Sequence, residues 1–106
     1  MPLRFGQFEI DENTYELRLR GRTLRPSRLV FDTILILGKH APRVVTKEEL
    51  IAGPWRGHTV SDDAIYRCIF RARQILAVRD CIVTVRGRGF RLVLPSDDPS
   101  PPKDPR

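Results

Sequence analysis

The chain has 106 residues, 41% of them hydrophobic, with nineteen Lys and Arg against thirteen Asp and Glu and a net charge of +6. That length suits one domain with a single core that needs no covalent staples. Two cysteines, Cys68 and Cys81, are too few for a disulfide framework and form no CxxC pair, so reduced thiols are expected. The longest apolar run, 34–37, is far too short to span a bilayer, and no apolar run follows the charge in the opening M-P-L-R-F. A cytoplasmic chain without a signal peptide or membrane contact is the expectation.

Residues 3–24 read as short strands. Residues 3–5 and 8–10 flank Gly6, and D-E-N at 11–13 is a turn cluster. Tyr15, Leu17 and Leu19 alternate with Glu16, Arg18 and Arg20, the period of a half-buried strand. Gly21 turns into 22–24, giving a small antiparallel sheet with one wet face. Ser27 can cap a first helix running to about Lys39. Its interior L-V-F-D-T-I-L-I-L is apolar nearly all round, which suits a helix covered on both sides. Gly38 and Pro42 close it.

T-K-E-E at 46–49 is a capping box, with Thr46 as N-cap and Glu49 three residues on. Gly53-Pro54 stops this second helix early. A linker, 55–60, leads to a third helix at 61–76, S-D-D-A-I-Y-R-C-I-F-R-A-R-Q-I-L. Ser61 caps it, and Asp62 and Asp63 meet the positive end of the helix dipole. Ile65, Ile69, Ala72 and Leu76 form one apolar stripe. Arg67 and Arg71, with Ala64 and Cys68 between them, fall on one flank; Tyr66, Phe70 and Arg73 fall nearer the other. Arginines one turn apart beside small residues suit close approach to a groove. Two helices joined in this way are a helix-turn-helix candidate.

Then I-V-T-V-R-G-R-G-F-R-L-V-L places strand formers on both sides of a glycine-rich tip that carries Arg86 and Arg88. An arginine tip beside a basic helix suits a minor-groove probe. Residues 61–94 hold seven arginines, no lysine and three aspartates. A half of that composition suggests a polyanionic partner, nucleic acid first and acidic lipid second. From residue 95 the chain reads P-S-D-D-P-S-P-P-K-D-P-R, a proline-rich linker with nothing apolar to bury. The expected division is a domain at 1–94 and a disordered linker at 95–106.

The order of elements resembles the OmpR/PhoB-type winged-helix DNA-binding domain over residues 4–93. The matching strings are F-D-T-I-L-I-L with R-V-V-T-K-E-E-L, then V-S-D-D-A-I-Y-R-C-I-F-R-A-R-Q-I-L, then I-V-T-V-R-G-R-G-F-R-L-V. The implied fold is α+β: a winged helix-turn-helix with an N-terminal antiparallel sheet, three helices and a C-terminal β-hairpin wing. The implied function is sequence-specific binding of double-stranded DNA by a bacterial transcriptional regulator. The third helix would enter the major groove, with Arg67 and Arg71 at base-contact positions and Cys68 on the same flank. Arg86, with Arg88 beside it on the wing, would enter the minor groove. Thr46, Lys47, Arg73 and Arg91 would position the backbone. A dimer on DNA and contact with RNA polymerase, through the segment matching 55–60, are further partners that the resemblance implies. A DNA-binding domain placed first with a linker behind it is the ToxR/CadC-like order.

No Ser/Cys–His–acid set can be built around His40 or His58, so no catalytic residue or cofactor is expected. A metal at Cys68 and Cys81 would lack two ligands. The competing reading is a winged helix that keeps protein contacts and has lost DNA, based on the aromatics Tyr66 and Phe70.

Overall fold

The four strands expected before residue 25 pair into one antiparallel sheet of order β1-β2-β3-β4: β1 (Leu3–Phe5), β2 (Phe8–Asp11), β3 (Glu16–Leu19) and β4 (Arg22–Leu24). The structure is a computed structural model, and it describes residues 3–5, 8–76 and 81–93. The proline-rich linker expected from residue 95 lies outside the described residues.

Register explains the wet and dry faces. Leu3 pairs with Ile10, Ile10 with Leu17, and Leu17 with Leu24, so these apolar side chains share one face. Phe8, Ile10 and Leu17 are buried there. The other face is a charge ladder, in which Glu9 lies between Arg4 and Arg18. The hydrogen bond from Arg4 holds the Glu9 carboxyl below its ordinary range.

Tyr15 departs from the expected alternation. It lies before β3 with φ of 58° and is exposed. Asp11 accepts the Asn13 backbone N–H at 2.9 Å and bends the hairpin early. The Tyr15 ring then meets the edge of Phe31 at 5.5 Å, with the Arg28 guanidinium over it at 5.1 Å.

Helix α1 (Arg28–His40) is the centre of the fold. Ser27 accepts the Val30 N–H at 3.3 Å, the expected cap. Val30, Phe31, Ile34 and Leu37 are buried, and Leu35 and Ile36 are half-buried against the same core. The all-round apolar pattern has this cause: α1 touches β1, α3 and the second sheet. The helix runs through Gly38 and ends at Ala41, which donates its N–H to the Gly38 carbonyl.

The capping box of α2 (Lys47–Ala52) forms as expected. Glu49 N–H donates to Thr46 Oγ1 at 3.1 Å, and Thr46 N–H donates to Glu49 Oε1 at 2.9 Å. Arg43 adds an ion pair to Glu49 at 3.0 Å. That contact first, then the Thr46 backbone bond, lowers the Glu49 pKa to about 2. After α2 come α3 (Asp62–Leu76), β6 (Ile82–Val85) and β7 (Gly89–Leu92).

One strand was not anticipated. β5 (Val45–Thr46) pairs with β7 and makes a three-stranded sheet of order β5-β7-β6. Two residues that also serve as a helix cap display no period, so this strand has no sequence signature. Its partner explains a glycine. Gly89 has φ of 153°, and a Cβ there would lie 2.1 Å from the Val45 carbonyl oxygen. Gly87, at the wing tip with φ of 74°, has nothing within 4 Å of that position.

Gly89→Ala is therefore expected to destabilise the domain by about 2–3 kcal/mol or more, through overpacking against backbone. Gly87→Ala should cost only the backbone penalty, about 1 kcal/mol. Urea unfolding of both variants checks this; equal small losses would mean that β5 and β7 do not approach so closely.

Candidate nucleic-acid interface

Helix α3 is built by its caps and its stripe. Ser61 Oγ accepts the Ala64 N–H at 3.2 Å, and Asp62 and Asp63 occupy the first turn. The expected stripe of Ile65, Ile69, Ala72 and Leu76 is buried, and Cys68 is buried with it. Adding Cys68 widens the stripe to one side and turns the outer face toward the other. Opposite the buried stripe an exposed line of α3 runs through Asp63, Arg67, Phe70 and Gln74, spaced 4, 3 and 4 residues apart on one helical face. Arg71 and Tyr66 flank that line, both exposed.

The placement of Cys68 corrects the expectation. It does not sit on the groove flank. Its sulfur lies 3.3 Å from Thr33 Oγ1 and 3.9 Å from the Leu29 carbonyl oxygen, so it packs against α1. Burial pushes the thiol pKa up, against the opposing effects of the Thr33 hydrogen bond and the Arg71 charge. The wheel angle put Cys68 between the stripe and the groove face, and packing against α1 decided for the stripe.

Arg73 is also redirected. Its Nε and Nη2 donate to the Ile82 carbonyl at 3.0 and 2.8 Å, and Nη2 also reaches Thr84 Oγ1 at 3.1 Å. This guanidinium ties α3 to β6. Tyr66 makes a second tie to the wing, with its ring edge-on to Phe90 at 5.8 Å. Lys47 makes a third, across the helix-turn-helix. Its Nζ is 3.2 Å from Asp62 Oδ2 and 5.6 Å from the Tyr66 ring centre. The Asp62 hydrogen bond raises the Lys47 pKa. The Thr46 hydroxyl is occupied by the capping box. Arg91 reaches the Pro42 carbonyl at 3.5 Å.

Among the described residues Arg67, Arg71, Arg86 and Arg88 are exposed with no acidic partner, and so are Arg22, Arg25 and Arg56. Arg71 lines an open groove with Arg25 and Gln74 beside the start of α1. Arg86 and Arg88 flank Gly87 in a turn closed by the Arg88 N–H to the Val85 carbonyl at 2.9 Å. By contrast, Arg4, Arg18, Arg28 and Arg43 each have a carboxylate within 4.0 Å.

Three residues of the outer line or its flank were not expected from the sequence to lie beside the arginines: Phe70, Tyr66 and Gln74. Phe70 is 58% exposed and Tyr66 45% exposed. The signal that could have found them is the affinity of a lone cysteine for the core, which rotates the helix. Among the described residues no cluster of His, Cys, Asp and Glu could hold a metal ion, and no helix is long and apolar enough to cross a membrane.

A four-stranded sheet, three helices with a turn between the last two, and a three-stranded sheet ending in a hairpin define a winged-helix domain. The chain belongs to the OmpR/PhoB-type family, whose model, described as "Transcriptional regulatory protein, C terminal", matches residues 21–92. It is 24% identical to the transcriptional activator CadC of Escherichia coli over 98 residues, 88% of this chain and 19% of CadC. It is 32% identical to the phosphate regulon regulatory protein PhoB of Rhizobium meliloti over 95 residues, 85% of this chain and 41% of PhoB. The chain thus spans less than half the length of these relatives. Its fold is similar to the Klebsiella pneumoniae RstA DNA-binding domain in complex with the RstA box, with a TM-score of 0.77, 27% identity and coverage of 86% of this chain and 95% of that one.

In the native protein both thiols are expected to react with a maleimide more than about tenfold slower than in urea, since both are buried. Peptide mapping of the labelled protein checks this. Rapid native labelling at Cys68 would put the sulfur outside and rotate α3 back.

Proposed function

We propose that this domain binds double-stranded DNA in a sequence-specific manner as the DNA-reading part of a transcriptional regulator. In this reading α3 lies in the major groove and the β6–β7 wing in the adjacent minor groove. The observation that carries the reading is the partition of charge. Arg4 and Arg18 on the N-terminal sheet and Arg28 on α1 are matched with carboxylates; Arg22, Arg25 and Arg56 are not, but α3 and the wing gather four unmatched arginines, Arg67, Arg71, Arg86 and Arg88, on two adjoining elements. An unmatched set on two adjoining elements suits a phosphate backbone and base edges. The similar RstA domain is in complex with its own box, which supports reading this domain as a DNA binder.

Roles follow from placement. Arg67 and Arg71 read the major groove, and Arg86 reads the minor groove with Arg88 at its rim. Lys47 and Arg91 neutralise phosphates, and the Thr46 backbone lies beside them. Arg73 acts by holding α3 to the wing, and Cys68 makes no contact. The domain works in the cytoplasm as a dimer on DNA, occupies residues 1–94, and has no catalytic step. A module for protein contacts alone would leave four exposed arginines without a task, so that alternative is not favoured.

Binding to a selected duplex should fall with salt at a slope of roughly −4 in log–log form, as release of counterions from four or five phosphates requires. Arg71→Ala should cost about 1–3 kcal/mol on that duplex and relax its specificity. Arg86→Ala should weaken binding more on A·T-rich than on G·C-rich flanks, because a narrow minor groove attracts arginine. Fluorescence anisotropy measures all three. Salt-independent binding, or variants equal to wild type on every duplex, would remove the proposal.

A further inference from the structure

An aromatic ring sits where a DNA-reading helix needs its most discriminating contact. Phe70 is the most exposed large hydrophobic side chain among the described residues, at 58%. It lies on the outer line of α3, three residues after Arg67 and four before Gln74. Among the described residues no ring or cation contact holds it, whereas the other exposed aromatics are anchored, Tyr66 by Phe90 and Lys47 and Tyr15 by Phe31 and Arg28. Leaving such a ring in water is unfavourable by the usual measure of apolar area. A partner that covers it would recover that free energy.

The surroundings limit what the partner can be. Arg67 lies one turn before Phe70 and Arg71 follows it directly, both without acidic partners among the described residues. A protein surface of ordinary composition would have to supply matched acids around an apolar spot. The major groove offers the same combination ready-made, with phosphates on its walls and the thymine C5-methyl as the one apolar group on a base edge. We propose that Phe70 is a specificity-determining residue that reads a thymine methyl in the major groove.

This inference rests on the DNA-binding reading and deepens it. It differs from the arginine contacts in chemistry. Arginine on guanine is hydrogen bonding, and loses little when a methyl is removed elsewhere. Phe70 on thymine is contact between apolar surfaces, and responds to the methyl alone.

The test uses the 106-residue chain and duplexes that it selects from a random-sequence pool. Each thymidine of the selected site is replaced in turn by deoxyuridine, which removes the methyl and keeps every hydrogen-bonding group. At one or two positions wild type should lose about fourfold in affinity, the worth of one buried methyl group. Phe70→Ala should bind more weakly and show no difference between thymidine and deoxyuridine there. Alanine at an exposed helix position favours the helix, and an unchanged melting temperature confirms that the variant is folded. Phe70→Arg should shift the selected site toward guanine at the same position.

Wild type that binds its site tightly yet ignores every deoxyuridine would overturn the proposal and leave the DNA-binding reading intact. So would a Phe70→Ala variant with the same deoxyuridine loss, since another group would then read the methyl. A DNA-free dimer, seen by sedimentation and lost in Phe70→Ala, would assign the ring to a second copy of the chain instead. Failure to select any duplex would remove the DNA-binding reading and this inference with it.

Discussion

The rotation of α3 about its own axis is set by what it buries, and the rest of the domain depends on that setting. Ile65, Ile69, Ala72 and Leu76 lie within the core that α1 centres, each no more than 1% exposed. Full burial of an Ile or Leu side chain is worth about 1.5–3 kcal/mol, so three of them fix the helix more firmly than any surface pair can. Cys68 joins them against Leu29 and Thr33 of α1. A turn of one residue would lift this thiol out and push a neighbouring exposed side chain into its place. Polar or aromatic groups at 67, 70 and 71 could not be accommodated there without loss of packing or hydrogen bonding.

With the rotation fixed, the wing is located by contacts from the same helix. Arg73 holds the Ile82 carbonyl and Thr84, and Tyr66 meets Phe90. β5 then clamps β7 from the far side at Gly89, where backbone meets backbone with no room for a side chain. The hairpin that carries Arg86 and Arg88 is thus held from both of its strands. Lys47 and Asp62 join the starts of α2 and α3 in the same way. A surface ion pair of this kind contributes little to stability, and its value is in orientation. One helix therefore positions both its own exposed arginine face and the arginine-bearing wing tip beside it.

Much of this was legible in the chain. Caps and breakers placed the helices to within a residue, because Ser27, Thr46 and Ser61 each satisfy orphan N–H groups in a way that other residue types cannot. The four short strands were visible from alternation and turn residues. Three features were not. β5 is too short to show a period. Tyr15 lies outside its strand because an Asp11 side-chain bond bends the chain there. The expected outer face of α3 is off by roughly a quarter of a turn at ~100° per residue, since a cysteine at the margin of a stripe can go either way and only the contact with α1 decides. The consequence falls on the exposed face: Arg67 and Arg71 stay on it or beside it, Cys68 is buried, and Phe70 lies on it.

In the proposed complex one face of α3, the line through Asp63, Arg67, Phe70 and Gln74, meets DNA together with the wing tip. Titration of ¹⁵N-labelled protein with a selected duplex tests it most directly. The largest amide and side-chain shifts are expected at exposed positions of 63–74 and at 86–88, with β1–β4 nearly silent. Large shifts concentrated on the β1–β4 sheet, with the outer line of α3 unmoved, would contradict it.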